Sequence, residues 1–99
     1  MNHSTLEIFI QVAETQSVTQ AAKRLGRAQS NITTRIQQLE EELAVELFVR
    51  GNKKMVLSPA GVQFLSYARR ILSLAEEAKQ ALHPTTPGGS LRCLLYTSD

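Results

Sequence analysis

Residues 17–43, SVTQAAKRLGRAQSNITTRIQQLEEEL, contain two amphipathic helical patterns separated by a short turn. In the first, Ser17 followed three residues later by Gln20 is a capping pattern for a helix start. An apolar face follows and ends at the natural stop Gly26; its residues are Val18, Ala21, Ala22 and Leu25. In the second, apolar residues recur at steps of four, three and four: Ile32, Ile36, Leu39 and Leu43. The stretch therefore predicts a short helix, the turn Gly26-Arg27-Ala28 and a longer helix from about Gln29 to Leu43.

Another helix precedes this pair. Ser4 with Glu7 has the spacing of a capping box. Apolar residues follow at helical intervals: Leu6, Phe9, Ile10 and Ala13. We expect this first helix to run from about Thr5 to Thr15, so three helices come before any strand.

The period of the apolar pattern changes after the third helix. Apolar residues alternate on either side of a Gly51-Asn52 turn: Val45, Leu47 and Val49 before it, Met55 and Leu57 after it. Alternation around such a turn predicts a small β-hairpin.

A long helix follows the hairpin. Ser58-Pro59 pairs an N-cap residue with proline at the first helical position, and the helical pattern continues to about Leu82. The predicted fold class is mainly α: a winged helix-turn-helix, made of three helices and a two-stranded β-hairpin wing, followed by a long dimerisation helix. The predicted divisions are the winged helix-turn-helix at 1–58, the linker helix at 59–82, a flexible hinge at 83–90 and a truncated or non-native tail at 91–99.

The long helix carries the spacing of a coiled-coil seam. Its apolar residues alternate steps of three and four: Gly61, Phe64, Ala68, Ile71, Ala75, Ala78 and Leu82. A second apolar edge widens the stripe: Leu65, Tyr67, Leu72 and Leu74. Because a small domain buries only part of so long a surface, we expect the helix at 59–82 to pair with a second copy, forming a homodimer. The predicted dimer contacts are Phe64, Ala68, Ile71, Ala75, Ala78 and Leu82. The alternative is a helix packed wholly on its own domain.

Length and composition limit the functions of the chain. Its 99 residues, 42% apolar and 20% charged, fit one globular domain without room for a separate catalytic or ligand-binding domain. No apolar run approaches the roughly 20 residues of a membrane span, and no signal peptide precedes the first helix, so we expect a cytoplasmic protein with no membrane partner. The lone Cys93 and the distant His3 and His83 predict neither a disulfide nor a metal site, and no cofactor is expected.

Charge is distributed unevenly along the chain, although its net charge is only +2. Residues 23–35 carry Lys and Arg without an acid, and residues 50–54 are again purely basic. The acidic residues between them form a block: Glu40, Glu41, Glu42 and Glu46. This pattern favours one face directed at an anion and another kept away from it. An ordinary solvated surface is the alternative.

Polar side chains open the third helix: Gln29, Ser30, Asn31, Thr33, Thr34 and Arg35. A B-form major groove admits one helix, and side chains near the helix start can reach base edges. The amides of Gln29 and Asn31 can bond adenine bidentately, Arg35 can reach guanine or phosphate, and the threonine methyls can touch thymine. We therefore predict a double-stranded DNA partner; the alternative is the solvated polar face of any amphipathic helix. The hairpin residues expected on phosphates or in a narrow minor groove are Arg50, Lys53 and Lys54.

Many spaced positions within about the first 82 residues match one family. They are Phe9, Ala21-Ala22, Leu25, Gln29-Ser30, Ile36, Leu39-Glu40-Glu41-Glu42-Leu43, Leu47-Phe48-Val49-Arg50 and Leu57-Ser58-Pro59-Ala60-Gly61. In this pattern the chain resembles the N-terminal domain of LysR-type transcriptional regulators. The resemblance implies a helix-turn-helix near Val18 to Gln37, a long helix that pairs two protomers, and binding to an interrupted inverted repeat in promoter DNA.

The resemblance also implies site residues. The family's base-reading and backbone-contacting positions fall on Gln29, Ser30, Thr33, Thr34 and Arg35, and its wing contacts fall on Arg50, Lys53 and Lys54. Where the family commonly has Ser or Thr, this chain has Ala28, which has no side-chain oxygen for a cap, so we expect capping to shift to Ser30. Family members continue into an effector-sensing domain that this chain lacks, so a small-molecule effector is expected only for a full-length protein.

Two other classes of function compete with a DNA-binding dimer. A helical protein-interaction module would explain the long seam, but not the polar start of the third helix. An enzyme is disfavoured because no arrangement of serine, histidine and acid, no glycine-rich pocket loop and no metal cluster is visible. We therefore predict a sequence-specific DNA-binding transcription regulator and not an enzyme.

Overall fold

Four helices account for most of the residues that the computed structural model describes, which are 1–49, 51 and 53–82. The helices are α1 (His3–Thr15), α2 (Val18–Leu25), α3 (Gln29–Leu43) and α4 (Pro59–Leu82). The last three have the bounds expected from the sequence, whereas α1 begins at His3 rather than Thr5. The predicted features that lie outside the described residues are Arg50, Asn52, the hinge at 83–90 and the tail at 91–99.

The starts of α1 and α2 are both capped by a side chain. Asn2 caps α1, and its side-chain oxygen accepts the N–H of Thr5 at 2.9 Å. Ser4 therefore lies within the first turn, and the predicted capping box that begins at Ser4 is wrong. Asn and Ser are about equally good caps, so the role falls to the residue that has extended backbone before the helix. Ser17 caps α2 as predicted.

α3 begins without a side-chain cap. Its cap residue is Ala28, which has extended backbone and makes no side-chain cap hydrogen bond. The backbone oxygen of Ala28 accepts the N–H of Ile32 at 3.2 Å, so the helix has already begun at Gln29. The expected shift of capping to Ser30 is therefore wrong, because a cap residue has non-helical backbone angles and Ser30 lies inside the helix.

α1 lies at the centre of the fold and packs against the other three helices. Its Phe9 is fully buried, and the Phe9 ring lies 5.6 Å from the Phe48 ring and 5.2 Å from the Phe64 ring between centroids. These tilted and edge-on arrangements are favourable for aromatic pairs. One core surrounds them, with these further buried apolar residues: Leu6, Ile8, Ile10, Val12, Ala21, Ala22, Ile32, Ile36, Leu39, Leu47 and Ala68. The same core therefore positions the helix-turn-helix, the wing and α4.

The predicted wing is a short antiparallel contact in the part of the chain that the structure describes. It has one β-bridge there, between Phe48 and Leu57. Beside the bridge, the N–H of Val49 donates to the backbone oxygen of Val56 at 2.7 Å. The two arms therefore pair in the expected direction, with less regular strand than a full hairpin.

The expected common face of Val45, Leu47 and Val49 is not observed. Leu47 and its neighbour Phe48 are both buried, whereas Val45 and Val49 are exposed. The cause is Glu40, whose carboxylate Oε2 accepts the N–H of Leu47 at 2.8 Å and that of Phe48 at 3.3 Å. These two N–H groups therefore bond a side chain of α3, while Phe48 pairs with Leu57 through the bridge, so the segment is not a regular strand before Phe48.

α4 lies close against the wing at Gly61. An ideal Cβ at this position would lie 2.1 Å from the backbone oxygen of Leu47, so no side chain fits. Ser58 holds the same junction, because its hydroxyl donates to the backbone oxygen of Glu46 at 2.6 Å and accepts the N–H of Gly61 at 3.0 Å. The predicted helix start at Ser58-Pro59 is thus also the point that joins α4 to the wing.

The first half of α4 packs on its own domain. Ala68 is wholly buried, and Phe64, Leu65 and Leu72 pack against the core. Ala68 therefore offers no surface to a second copy, in contradiction to its predicted role as a dimer contact. The physical reason is that the predicted stripe partly coincides with the side of α4 that covers α1.

Candidate nucleic-acid interface

The start of α3 has one buried apolar side and one exposed polar side. Ile32, Ile36 and Leu39 are buried in the core. Four of the predicted contact residues lie on the exposed side: Gln29, Ser30, Thr33 and Thr34. Because these side chains meet solvent rather than protein, their amide and hydroxyl groups are accessible to a ligand in front of the helix.

The two other predicted residues of α3, Asn31 and Arg35, are half-buried on its flank. The Asn31 amide oxygen accepts a hydrogen bond from the Arg27 guanidinium at 3.1 Å. The same guanidinium donates to the hydroxyl of Ser4 at 2.8 Å, so it links the first turns of α3 and α1. The sequence alone marks Arg27 only as a charge, because Ser4 is 23 residues away and no spacing rule connects them.

Two glutamines extend the polar side of α3 beyond the predicted residues. Gln37 and Gln38 are exposed, and they follow Thr33 and Thr34 by one helical turn. This spacing was the signal that would have found them in the sequence. Because a helix in the major groove reads bases mainly through its start, Gln37 and Gln38 lie at the limit of that reach.

The wing lysines lie beside the start of α2. Lys53 and Lys54 are exposed and line an open cleft with residues 15–19 and Met55. The N–H of Met55 donates to the backbone oxygen of Gln16 at 3.1 Å, which fixes this arm of the wing against the turn between α1 and α2. The first turn of a helix has N–H groups without intrahelical partners and carries partial positive charge. Two lysines beside it form a surface suited to an anion such as phosphate.

Acidic side chains lie at the other end of α3. Glu41 and Glu42 are exposed in its last turn, and Glu46 is exposed in the loop that follows. Glu42 pairs with the amino group of Met1 at 2.6 Å. Glu40 belongs to the interior, so the predicted block of four acids is an acidic surface of three and one buried carboxylate. The exposed acids thus lie at the opposite end of α3 from the polar residues that open the helix.

A second apolar stripe of α4, distinct from the predicted seam, is exposed to solvent from Tyr67 onward. Its residues alternate steps of four and three: Ala60, Phe64, Tyr67, Ile71, Leu74, Ala78 and Ala81. Tyr67, Ile71 and Leu74 expose 49%, 41% and 65% of their surfaces. Among the predicted dimer contacts, Ile71, Ala78 and Leu82 are exposed, Phe64 and Ala75 are partly buried, and Ala68 is buried. The exposed apolar surface therefore lies mainly on this second stripe.

Within residues 1–49, 51 and 53–82, none of the helices combines the length and the apolar composition that crossing a membrane requires. The same part of the chain holds no group of three or more His, Cys, Asp or Glu side chains placed to bind a metal ion.

Residues 3–62 match the family model described as bacterial regulatory helix-turn-helix protein, lysR family. The chain is also 46% identical over 92 residues to the uncharacterized HTH-type transcriptional regulator YusT of Bacillus subtilis (strain 168). That match covers 92% of this chain and 31% of YusT. The chain spans about a third of the length of the curated relatives it matches.

Solved structures that are similar to this chain include complexes with DNA. The BenM_DBD/benA site 1 DNA complex has a TM-score of 0.78 and 38% sequence identity, and the match covers 81% of this chain and 90% of that one. The CbnR_DBD-DNA complex has a TM-score of 0.78 and 42% identity, with 81% and 92% covered. These likenesses confirm the winged helix-turn-helix fold class.

Proposed function

Because the chain belongs to the LysR family of bacterial helix-turn-helix regulators, we propose that it binds an interrupted inverted repeat in promoter DNA as a homodimer. The start of α3 enters the major groove, and the wing lies on the sugar-phosphate backbone. The family and the relatives that the chain matches are transcription regulators, not enzymes.

The main support is the exposed polar start of α3. Gln29 meets solvent at the first position of the helix, while Ile32 and Ile36 anchor the opposite side in the core. A helix fixed in this way presents the same side chains to every duplex that it meets, which base-specific reading requires. The DNA complexes of the similar BenM and CbnR domains support the same partner for this chain.

Each exposed group of α3 suits a particular contact. The Gln29 amide can bond adenine at N6 and N7, and the methyl groups of Thr33 and Thr34 suit the thymine methyl. Ser30 can donate its hydroxyl to a base or a phosphate. Arg35, half-buried on the flank of α3, is suited to guanine or a backbone phosphate.

The wing supplies affinity without sequence preference. Lys53 and Lys54 lie beside the first turn of α2, so one phosphate can meet lysine ammonium groups and helix N–H groups together. Arg50 is proposed as a third wing contact from its position in the sequence. Acids at the far end of α3 keep that end away from the phosphates.

Homodimerisation is proposed through α4. The second stripe leaves large apolar groups in water at Tyr67, Ile71 and Leu74. A matching stripe on a second copy would cover them with the spacing of a helical pair. Two copies related by symmetry would also place two reading helices on the two halves of an inverted repeat.

The rest of the proposal concerns the longer protein that the relatives imply. Since the chain spans about a third of those relatives, we propose that a small-molecule effector acts through the remaining part. The site of action would be the cytoplasm, where promoter DNA is found in bacteria.

Base reading is tested by comparing affinity for a selected site with affinity for random DNA. Gln29→Ala and Arg35→Ala are expected to weaken binding to the selected site by about tenfold or more, because one good base contact contributes about 1–3 kcal/mol. Their affinity for random DNA should change much less. Fluorescence anisotropy at fixed salt measures both, and equal losses on both DNAs would reject base reading by these residues.

Backbone binding is tested on the same DNAs at several salt concentrations. Lys53→Ala and Lys54→Ala should weaken binding to all sequences and flatten the plot of log K against log salt by about 0.9 for each lost phosphate contact. Lys79→Ala, in the last turn of α4, is the matched control and should leave the slope unchanged. An unchanged slope in the wing variants would remove the wing from the interface.

A further inference from the structure

The side chain of Arg27 joins the turn of the helix-turn-helix to α3 and to α1. It starts from the turn between α2 and α3 and donates to Oδ1 of Asn31 at 3.1 Å and to Oγ of Ser4 at 2.8 Å. Its backbone is also held, because the Arg27 N–H donates to the carbonyl oxygen of Ala22 at 3.0 Å. Because the backbone N–H and both terminal side-chain nitrogens of Arg27 donate hydrogen bonds, the guanidinium has a defined position at the start of α3.

We propose that Arg27 sets the orientation of the Asn31 amide, so that Asn31 presents N–H donors to DNA instead of a donor and an acceptor together. The inference rests on the proposed function, since it concerns how α3 reads bases. A guanidinium has donors only, so the amide atom that faces Arg27 is the carbonyl oxygen. The NH₂ group of Asn31 then lies on the side away from Arg27.

This orientation changes the base that Asn31 prefers. An asparagine with both amide groups available bonds adenine at N6 and N7. A charge-assisted bond turns the Asn31 oxygen toward Arg27, and the N–H groups on the opposite side of the amide match the acceptors of guanine or the O4 of thymine. Arg27 is thus a positioning residue, which acts on specificity through Asn31.

The charge of Arg27 provides a way to separate this role from a direct contact with DNA. Its partners in the two hydrogen bonds are neutral oxygens, so neither bond pairs the guanidinium with an opposite charge, and Arg27 is exposed. If Arg27 bonded a phosphate, its loss would lower the salt slope by about 0.9 per protomer, whereas loss of a positioning bond leaves the slope unchanged.

The experiment is selection of bound sequences from a random duplex pool by the wild type, Arg27→Ala, Asn31→Ala and the double variant. We expect Arg27→Ala to shift one base position of each half-site toward adenine by about fivefold or more, since the Asn31 oxygen becomes available. The double variant should select the same bases as Asn31→Ala alone. Arg27→Lys keeps a donor and should restore part of the wild-type preference.

Arg24→Ala is the matched control for charge and folding. Arg24 is also exposed, and its guanidinium donates to a neutral amide oxygen, that of Gln11, at 3.2 Å. Its removal therefore deletes the same charge and a similar bond without touching α3. This variant should select the wild-type sequences.

Three results would overturn the inference. Arg27→Ala selecting the same bases as the wild type would show that Asn31 does not depend on it. A uniform loss of affinity with a lower salt slope would assign Arg27 to a phosphate. A base shift that persists in the double variant would show that Arg27 acts without Asn31. Failure of the wild type to select any sequence is a different outcome, because it would reject the proposed function itself.

Discussion

At the scale of single residues, two helices end in left-handed backbone on residues other than glycine. Gln16 follows α1 with a φ of 57°, and Ala44 follows α3 with a φ of 58°. In this conformation Cβ lies too close to the following carbonyl oxygen, which costs roughly 1–2 kcal/mol. Backbone hydrogen bonds maintain this strained conformation. The N–H of Ala44, for example, donates to the carbonyl oxygens of Glu40 and Glu41 in the last turn of α3.

Ala44→Gly is expected to raise the free energy of unfolding by about 0.5–1 kcal/mol, because relief of the Cβ clash exceeds the larger entropy loss of glycine. Urea unfolding at one fixed protein concentration measures the change, since dimerisation would make stability depend on concentration. Gln38→Gly, at an exposed position inside α3, is the control and should lower stability by about 0.5–1 kcal/mol. A loss of stability in both variants would contradict the interpretation of Ala44.

Residue identity predicted some of the helix ends and not others. Ser17 and Gly26 stand at the two ends of α2, as their types indicated. Ser4 and Ser30 have equally suitable side chains, but both lie inside helices that begin earlier. Capping preference describes what a residue can do at a helix end, whereas tertiary packing decides where the end falls. The hydrogen bonds of Arg27 to Asn31 and Ser4 also depend on tertiary packing, because packing brings the start of α1 beside the start of α3.

At the scale of elements, a buried carboxylate joins α3 to the wing. Glu40 accepts the N–H groups of Leu47 and Phe48, two buried residues at the start of the wing. A side chain of α3 thereby fixes the start of the wing. The sequence suggested a surface acid here, because four glutamates in a short stretch give no sign of which one turns inward.

Glu40→Ala is expected to lower the free energy of unfolding by at least about 2 kcal/mol, since an unsatisfied buried donor costs about 1–3 kcal/mol and two are left. Glu40→Gln retains one oxygen acceptor and should lose less. Urea unfolding gives the stabilities, and hydrogen exchange at Leu47 and Phe48 reports the wing itself. The exposed neighbour variant Glu41→Ala should change stability by less than about 0.5 kcal/mol. Equal effects of the alanine variants at 40 and 41 would disprove the link.

Periodicity predicted the length of α4 but not the side that covers the core. The stripe containing Ala68 and the stripe containing Tyr67 both advance by steps of three and four, so either fits a helical seam. They differ in what lies opposite, which is α1 for Ala68 and solvent for Tyr67. Local spacing cannot distinguish two apolar stripes on one helix, because the choice is made by contacts far apart in the chain.

At the scale of the whole molecule, α4 is longer than the domain it covers. Its 24 residues extend about 36 Å, and core packing ends near Leu72. Beyond that point Leu74 and Leu82 expose 65% and 77% of their surfaces. Large apolar side chains in water are typical of an association surface, which supports the proposed homodimer.

Leu74→Glu is therefore expected to convert a homodimer to a monomer at micromolar concentration, because it places a charge in the centre of the proposed helical pair. Sedimentation equilibrium measures the mass. Val62→Glu is the matched control, since Val62 is 58% exposed on a different side of α4 and should leave the dimer intact. The monomeric variant should still bind a single half-site weakly and lose the gain that the wild type obtains from two correctly spaced half-sites. A dimer that survives Leu74→Glu and dissociates with Val62→Glu would place the interface on the other side of α4.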